Sequence, residues 1–198
     1  MLEAFAVSTG AVALGEMGDK TQLLAMLLAA RFRRPAPIVW GILVATLVNH
    51  AAAAAVGGTV AALMGPAALR WVIGLSFLAM AAWMLVPDKI DPAEVEGAGF
   101  GARGVFFTTL VAFFLAEMGD KTQIATVALA ARYPVYPDVV MVVLGTTLGM
   151  MLANVPAVFF GERLARRVPM RLVHGTSAAI FAVLGVLTLL NVGRVFGG

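Results

Sequence analysis

Seven residues occur twice in this chain, and they carry most of the side chains that could do chemistry in it. The copies are Glu16-Met17-Gly18-Asp19-Lys20-Thr21-Gln22 and Glu117-Met118-Gly119-Asp120-Lys121-Thr122-Gln123. Each copy lies inside an otherwise apolar stretch, where an ionisable side chain costs about 2.5 to 3.5 kcal/mol on membrane-insertion scales. Because a structural salt-bridge cluster has no reason to recur with identical neighbours, the duplication indicates an ion or proton site.

The carboxylates are the predicted metal ligands. Glu16 lies three residues before Asp19, and Glu117 lies three residues before Asp120, so on a helix each pair shares one face. Carboxylate oxygens are hard ligands, suited to Ca²⁺, Mn²⁺ or Mg²⁺. If the two motifs face each other in opposite directions, Glu16 should lie level with Asp120. In the same arrangement Asp19 should lie level with Glu117.

The remaining motif residues are predicted to support that site. Lys20 lies four residues after Glu16, which favours either an intrahelical salt bridge or a tethered cation that holds the empty site together. The threonines offer hydroxyls to the backbone or to the ion, the glutamines extend the oxygen lining, and Gly18 or Gly119 allows a bend. The supporting set is Lys20, Thr21, Gln22, Lys121, Thr122 and Gln123. With four carboxylates and two lysines, the site has two excess negative charges, which one divalent cation or two protons would neutralise.

Three polar residues elsewhere in apolar stretches are weaker candidates, namely Asn49, His50 and Asn154. Single polar residues in a membrane span more often form interhelical hydrogen bonds than bind ligands. Only the alignment of His50 with Asn154 between the two halves favours a role at the site.

Composition indicates an all-α membrane protein. Hydrophobic residues make up 61% of the chain and charged residues only 13%, outside the range of soluble domains. The absence of cysteine excludes disulfides and thiolate metal sites. Although the formal net charge is +3, the arginines cluster beside apolar segments, which is typical of topology signals rather than of nucleic-acid binding.

Six transmembrane helices are predicted, as two inverted three-helix repeats. The spans are residues 3–30, 38–63, 70–87, 104–131, 138–161 and 171–193. The first repeat covers residues 1–87, an acidic flexible linker covers 88–103, and the second repeat covers 104–198. The motifs repeat at an offset of 101 residues, and the middle spans align at 104, which pairs His50 with Asn154.

Three spans per repeat, an odd number, require the second repeat to cross the membrane in the opposite sense. The loops after spans one, three and five hold nine Lys and Arg residues, against three on the other side. The positive-inside rule therefore predicts that both termini are non-cytoplasmic. Arginine-rich and alanine-rich composition indicates a bacterial inner membrane.

The duplicated E-x-G-D-K-T motif, in two three-span repeats joined by an acidic linker, resembles the Gdt-type calcium/manganese:proton exchanger family, also known as uncharacterised protein family 0016. The resemblance spans essentially the whole chain. It implies that Glu16, Asp19, Glu117 and Asp120 bind the cation, and that the protein exports Mn²⁺, or Ca²⁺, in exchange for H⁺. No enzyme activity and no resident cofactor are expected. The expected partners are the metal ion, protons and the lipid bilayer, and a homo-oligomer remains open.

Other functions are compatible with parts of the pattern. An exporter of a small organic solute such as an amino acid would need a larger cavity with an apolar subsite, which the sequence does not exclude. An intramembrane aspartyl protease would use two aspartates that share a proton. However, the spacing of Gly15 and Gly18 does not fit the protease motif, and Ala116 replaces the first glycine in the second copy. A non-transporting assembly subunit would differ from a carrier in binding no metal.

Overall fold

A computed structural model describes residues 1–86, 104–161 and 170–192. The predicted linker at 88–103 lies outside these ranges, as do Arg163, Arg166 and Arg167 of the predicted cytoplasmic loops. The described part of the chain forms eight helices and no strand. They are α1 (Leu2–Glu16), α2 (Lys20–Phe32), α3 (Pro35–Leu63), α4 (Pro66–Trp83), α5 (Gly104–Glu117), α6 (Lys121–Arg132), α7 (Asp138–Phe160) and α8 (Met170–Leu189).

Four of these helices are long and apolar enough to cross a membrane, namely α3, α4, α7 and the Leu172–Leu189 part of α8. The 29 residues of α3 extend about 43 Å, more than the roughly 30 Å thickness of a bilayer core. The third predicted span, 70–87, lies about four residues later than α4, which runs from Pro66 to Trp83. The helix begins earlier than predicted because proline is favoured at the first position of a helix.

The surface of the long helices is apolar, while polar side chains are buried. On α7 the side chains of Leu144, Leu148 and Leu152 share one face and are 40 to 51% exposed. By contrast, Glu16 and His50 are completely buried. Apolar side chains on the outer surface together with buried ionisable ones fit a protein whose outer solvent is lipid.

The first and fourth predicted spans are each interrupted at the motif, so the prediction of a continuous motif helix was wrong. Helix α1 ends at Glu16, and α2 begins at Lys20 after Asp19, which is extended at φ −78° and ψ 167°. Gly18 between them has φ +84°, and Gly119 in the second motif has φ +75°. A residue with positive φ cannot continue a right-handed helix, and glycine adopts this conformation at little cost.

The helices pack reciprocally between the two halves. The interrupted pair α1 and α2 packs against α7, and the interrupted pair α5 and α6 packs against α3. Helix α3 also contacts α7, and α4 packs against α8. Each motif is therefore held against the long helix of the other half, which brings the two motifs towards each other.

The apolar core has two parts. One contains Phe77 of α4, Phe181 of α8 and Leu129 of α6. The other contains Ile42 of α3 and Phe113 of α5, together with residues of α2 and α7. Both parts join helices of the two halves, so burial of their side chains stabilises the association of the halves as well as the fold of each.

Glycines allow the closest of these helix contacts. A Cβ atom at Gly57 of α3 would lie 2.3 Å from the Val127 carbonyl oxygen of α6, and one at Gly145 of α7 would lie 2.6 Å from the Phe5 carbonyl oxygen of α1. Both distances are shorter than van der Waals contact. Small residues let helix backbones approach where a membrane offers no hydrophobic drive for association.

We expect Gly57→Ala to lower the free energy of unfolding by about 1 to 3 kcal/mol, because the added methyl group must push α6 away from α3. The neighbouring Gly58 is a matched control, since a Cβ atom there meets nothing within 4 Å. Gly58→Ala should leave stability unchanged or raise it by up to about 1 kcal/mol. Unfolding of the detergent-solubilised variants, followed by circular dichroism, measures both effects, and equal effects would contradict the close α3–α6 contact.

The motif turn makes a second prediction. A Cβ atom at Gly119 meets nothing within 4 Å, so the cost of a substitution there comes from the backbone conformation alone. Gly119→Ala should cost about 1 to 2 kcal/mol, and Gly119→Asn clearly less, because asparagine tolerates the left-handed region better than alanine. The same unfolding measurement ranks the two variants. Alanine tolerated as well as asparagine would show that the turn does not require positive φ.

Candidate cation site

The four motif carboxylates are all buried, with exposed fractions between 0 and 5%. One oxygen each from Glu16, Asp19 and Asp120 lies within 4.8 Å of the others. The structure therefore brings together carboxylates from both motifs, including the expected neighbours Glu16 and Asp120. Glu117 is not a member of this group of three, and it lies at the end of α5, across the turn from Asp120.

The interrupted helices position these carboxylates. Glu16 is the last residue of α1, and Asp19 is the N-cap of α2. The Asp19 N–H donates to the Glu16 carbonyl oxygen at 3.1 Å, and the Asp120 N–H donates to the Glu117 carbonyl oxygen at 3.2 Å. These short turns place the glutamate at the end of one helix beside the aspartate at the start of the next. A continuous helix would have left them stacked along one face.

The glutamines stabilise the same turns. The Gly18 N–H donates to Gln22 Oε1 at 2.9 Å, and the Gly119 N–H donates to Gln123 Oε1 at 2.8 Å. Gln22 Nε2 also donates to the Ala153 carbonyl oxygen of α7 at 3.1 Å. The glutamine oxygens, which were expected to extend the oxygen lining, accept hydrogen bonds from the turn backbone in this structure.

The threonines orient the glutamates. Thr21 Oγ1 donates to Glu16 Oε2 at 2.5 Å, and Thr122 Oγ1 donates to Glu117 Oε1. Within the described part of the chain, the second oxygen of each glutamate, Oε1 of Glu16 and Oε2 of Glu117, has no hydrogen-bond partner. Each glutamate thus keeps a buried oxygen that can accept a proton or bind a cation.

The lysines link the two motifs. Lys20 Nζ lies 3.7 Å from Asp120 Oδ1, and Lys121 Nζ lies 3.2 Å from Asp19 Oδ1. The helical register assumed for a pair between Glu16 and Lys20 is absent, since one helix ends at Glu16 and the next begins at Lys20. Each motif therefore supplies a positive charge to the aspartate of the other motif.

The weaker candidates have different surroundings. Asn49 Nδ2 donates to the Phe114 carbonyl oxygen of α5 at 3.2 Å, an interhelical hydrogen bond. Asn154 Nδ2 donates to the Met150 carbonyl oxygen of its own helix at 3.1 Å. His50 Nε2 lies 3.9 Å from Glu117 Oε1. Of the three, His50 is the one whose recorded contact is a motif carboxylate.

Two buried hydroxyls that sequence reasoning did not single out are those of Ser8 in α1 and Thr147 in α7. Neither has a hydrogen-bond partner among the described residues. Serine and threonine are common in packed membrane helices and usually return their hydroxyl to the backbone. Residue type alone therefore could not have distinguished these two from their many neighbours.

This arrangement can bind a hard divalent cation. The ligands that it could offer are carboxylate oxygens, and the four carboxylates and two lysines have a formal excess of two negative charges. Burial strengthens the attraction between these charges and a cation, because the surrounding medium screens poorly. The lysines offset part of the mutual repulsion between the carboxylates.

Comparison with known proteins agrees with this geometry. A family model described as "Divalent cation/proton antiporter GDT1" matches residues 4–92 and 105–194. A Vibrio cholerae protein named "Putative manganese exporter" is 47% identical over 188 residues, which cover 95% of this chain and 91% of that protein. The Arabidopsis thaliana GDT1-like protein 5 is 26% identical over 96% of this chain and 97% of its own length. No solved structure matches.

The two matched segments each contain one complete motif, and together they cover the eight helices of the described residues except the first two residues of α1 and the first residue of α5. The family is one of membrane transporters rather than enzymes. The resemblance expected from the two motifs is thereby confirmed. This chain belongs to the divalent cation/proton antiporter GDT1 family.

Proposed function

We propose that this protein exports Mn²⁺ from the cytoplasm in exchange for H⁺, with Ca²⁺ as the main competing substrate. The observation that carries the proposal is the meeting of buried carboxylates from both motifs, three of them within 4.8 Å of one another. The name of the Vibrio cholerae relative supports manganese over calcium. The four carboxylates Glu16, Asp19, Glu117 and Asp120 are the proposed cation ligands.

The proposed architecture has six spans. Helices α1 and α2 together form one span, and α5 and α6 together form another, since each is too short to cross a bilayer alone. The first repeat is residues 1–87, and the second, residues 104–198, is inverted with respect to it. The reciprocal packing of each interrupted pair on the long helix of the other half supports this symmetry.

The protein is proposed to reside in the bacterial inner membrane with both termini on the non-cytoplasmic side. Nine Lys and Arg residues on the loops after the first, third and fifth spans, against three on the other side, support this orientation. Protons then load from the non-cytoplasmic side, and the metal ion loads from the cytoplasm.

Charge balance couples the binding of the metal ion to the release of protons. The formal excess of two negative charges is neutralised by one divalent cation or by two protons. Metal binding favours the ionised carboxylates and expels protons, and by linkage acidification expels the metal. If two protons exchange for each ion, the cycle is electroneutral, whereas one proton per ion makes it electrogenic.

The two lysine–aspartate ion pairs fix the arrangement of the site before a cation binds. Lys20 on Asp120 and Lys121 on Asp19 bridge the two motifs. A bound cation takes over their role as the positive partner of the aspartates. The threonines and glutamines hold the glutamates and the turns in place during this exchange.

Replacing any one of Glu16, Asp19, Glu117 or Asp120 with its amide should abolish transport, because the amide keeps the volume and removes the charge. Metal-stimulated proton flux in proteoliposomes, screened over Mn²⁺, Ca²⁺ and Mg²⁺, measures the effect, and gel filtration checks folding. Glu3→Gln is the matched control, since Glu3 accepts a hydrogen bond from the Tyr133 hydroxyl at 2.9 Å near the surface. Near-normal flux in two or more amide variants would show that these carboxylates are not the site.

Mn²⁺ binding should release one or two protons, and the apparent metal affinity should therefore weaken about tenfold to a hundredfold for each unit of acidification in the titration range. Calorimetry in buffers of different ionisation enthalpy counts the protons. The Glu3→Gln variant should release the same number as the unmodified protein. A count of zero at a pH where transport is active would rule out direct competition between metal and protons at these residues.

A further inference from the structure

His50 is the buried side chain next to the motif carboxylates that the proposed charge balance does not use. It lies on α3, which packs against both α5 and α6, the helices that carry the second motif. The side chain is completely buried. Its Nε2 atom lies 3.9 Å from Glu117 Oε1, too far for a hydrogen bond.

Neither ring nitrogen of His50 has a hydrogen-bond partner within the described residues. A neutral imidazole has one donor and one acceptor, and burying such groups without partners costs free energy. Native proteins rarely leave both nitrogens of a buried histidine unsatisfied, and a water molecule, an ion or another ligand usually completes such an environment. The acceptor nitrogen is therefore available to a ligand that enters beside Glu117.

The distance to Glu117 suits two ligands of one ion. Two atoms that each bind a cation at about 2.1 Å lie roughly 3 to 4 Å apart, depending on the coordination geometry. Glu117 accepts from Thr122 through Oε1, the atom that lies 3.9 Å from His50 Nε2, while its Oε2 has no hydrogen-bond partner among the described residues. His50 thus lies beside a carboxylate that keeps one unpartnered oxygen.

The two halves differ at this position. His50 aligns with Asn154, whose α7 backbone contacts the first motif through the hydrogen bond from Gln22 to the neighbouring Ala153. Asn154 Oδ1 is also buried without a hydrogen-bond partner among the described residues. The two motifs are identical in sequence, but these aligned positions differ. One half offers a possible nitrogen ligand from His50, where the other half offers the amide oxygen of Asn154.

We propose that His50 is a nitrogen ligand of the transported cation and that it favours Mn²⁺ over Ca²⁺ and Mg²⁺. This inference rests on the proposed function. Ca²⁺ and Mg²⁺ are hard cations that bind oxygen ligands, whereas a neutral imidazole is a common ligand of transition-metal ions. One nitrogen among carboxylate oxygens therefore discriminates by ligand chemistry, where carboxylates alone would bind all three ions.

The experiment is pulsed electron paramagnetic resonance of Mn²⁺ bound to the full-length protein, with histidine labelled by ¹⁵N. A directly coordinated imidazole gives a nitrogen modulation that changes from ¹⁴N to ¹⁵N with the label. We expect this signal in the unmodified protein and in His174→Asn, and its loss in His50→Asn, which copies the residue of the other half. The chain has two histidines, so His174→Asn assigns the signal to His50 even if His50→Asn does not fold.

Competition binding supplies the functional measurement. The preference for Mn²⁺ over Ca²⁺ should fall at least about tenfold in His50→Asn, while Ca²⁺ binding itself stays nearly unchanged. His174→Asn should keep the preference of the unmodified protein.

Two failures are distinguishable. One outcome is that Glu16→Gln loses Mn²⁺ binding, while Mn²⁺ bound to the unmodified protein gives no histidine nitrogen signal. In that case the carboxylate site stands and the inference on His50 is overturned. An unchanged Mn²⁺ preference in folded His50→Asn also overturns it. If Mn²⁺ binds equally well to the amide variants of the carboxylates, the proposed function itself fails.

Discussion

The burial of four carboxylates beside two lysines is the constraint on which the rest of the structure depends. A buried carboxylate without compensation is among the most costly groups that a protein can hold. The lysines compensate the two aspartates across the motifs, at 3.7 Å and 3.2 Å. The glutamates are held by threonine hydroxyls, which orient them but bring no charge. The excess negative charge that remains is what a divalent cation or protons would neutralise.

This constraint explains why the helices break where they do. A continuous helix would satisfy its own backbone but would place each lysine beside the glutamate of its own motif. The turn at Gly18 moves Asp19 to the start of α2 and allows Lys121 of the other motif to reach it. The N–H groups of Gly18 and Gly119 donate to the glutamines, so the turn adds no uncompensated N–H at either glycine.

The sequence predicts the helical membrane class, the family and the buried carboxylates, because composition and a duplicated motif can be recognised without knowing how the helices pack. It does not predict the interruption at Gly18 and Gly119, since glycine is frequent in membrane helices and seldom marks a break. The partners of Lys20 and Lys121 were missed for the same reason. A spacing of four residues favours an intrahelical pair, and only the observed break removes that register. Nothing in the sequence beyond residue type distinguishes the buried hydroxyls of Ser8 and Thr147 from those of other serines and threonines.

The cross-motif ion pairs also bear on how such a site could alternate between two sides. Because each lysine belongs to one half and its aspartate to the other, the pairs hold the halves together when the aspartates are ionised and unoccupied. A cation that binds Asp19 and Asp120 at once bridges the same two halves through its own charge. Protons neutralise the aspartates and so weaken their ion pairs with the lysines. A protonated carboxyl can bridge the halves only through a hydrogen bond, so protons would loosen the contact that a bound cation would maintain. The two substrates would therefore bias the interface between the halves differently, which is the differential interaction that a population shift between two states requires.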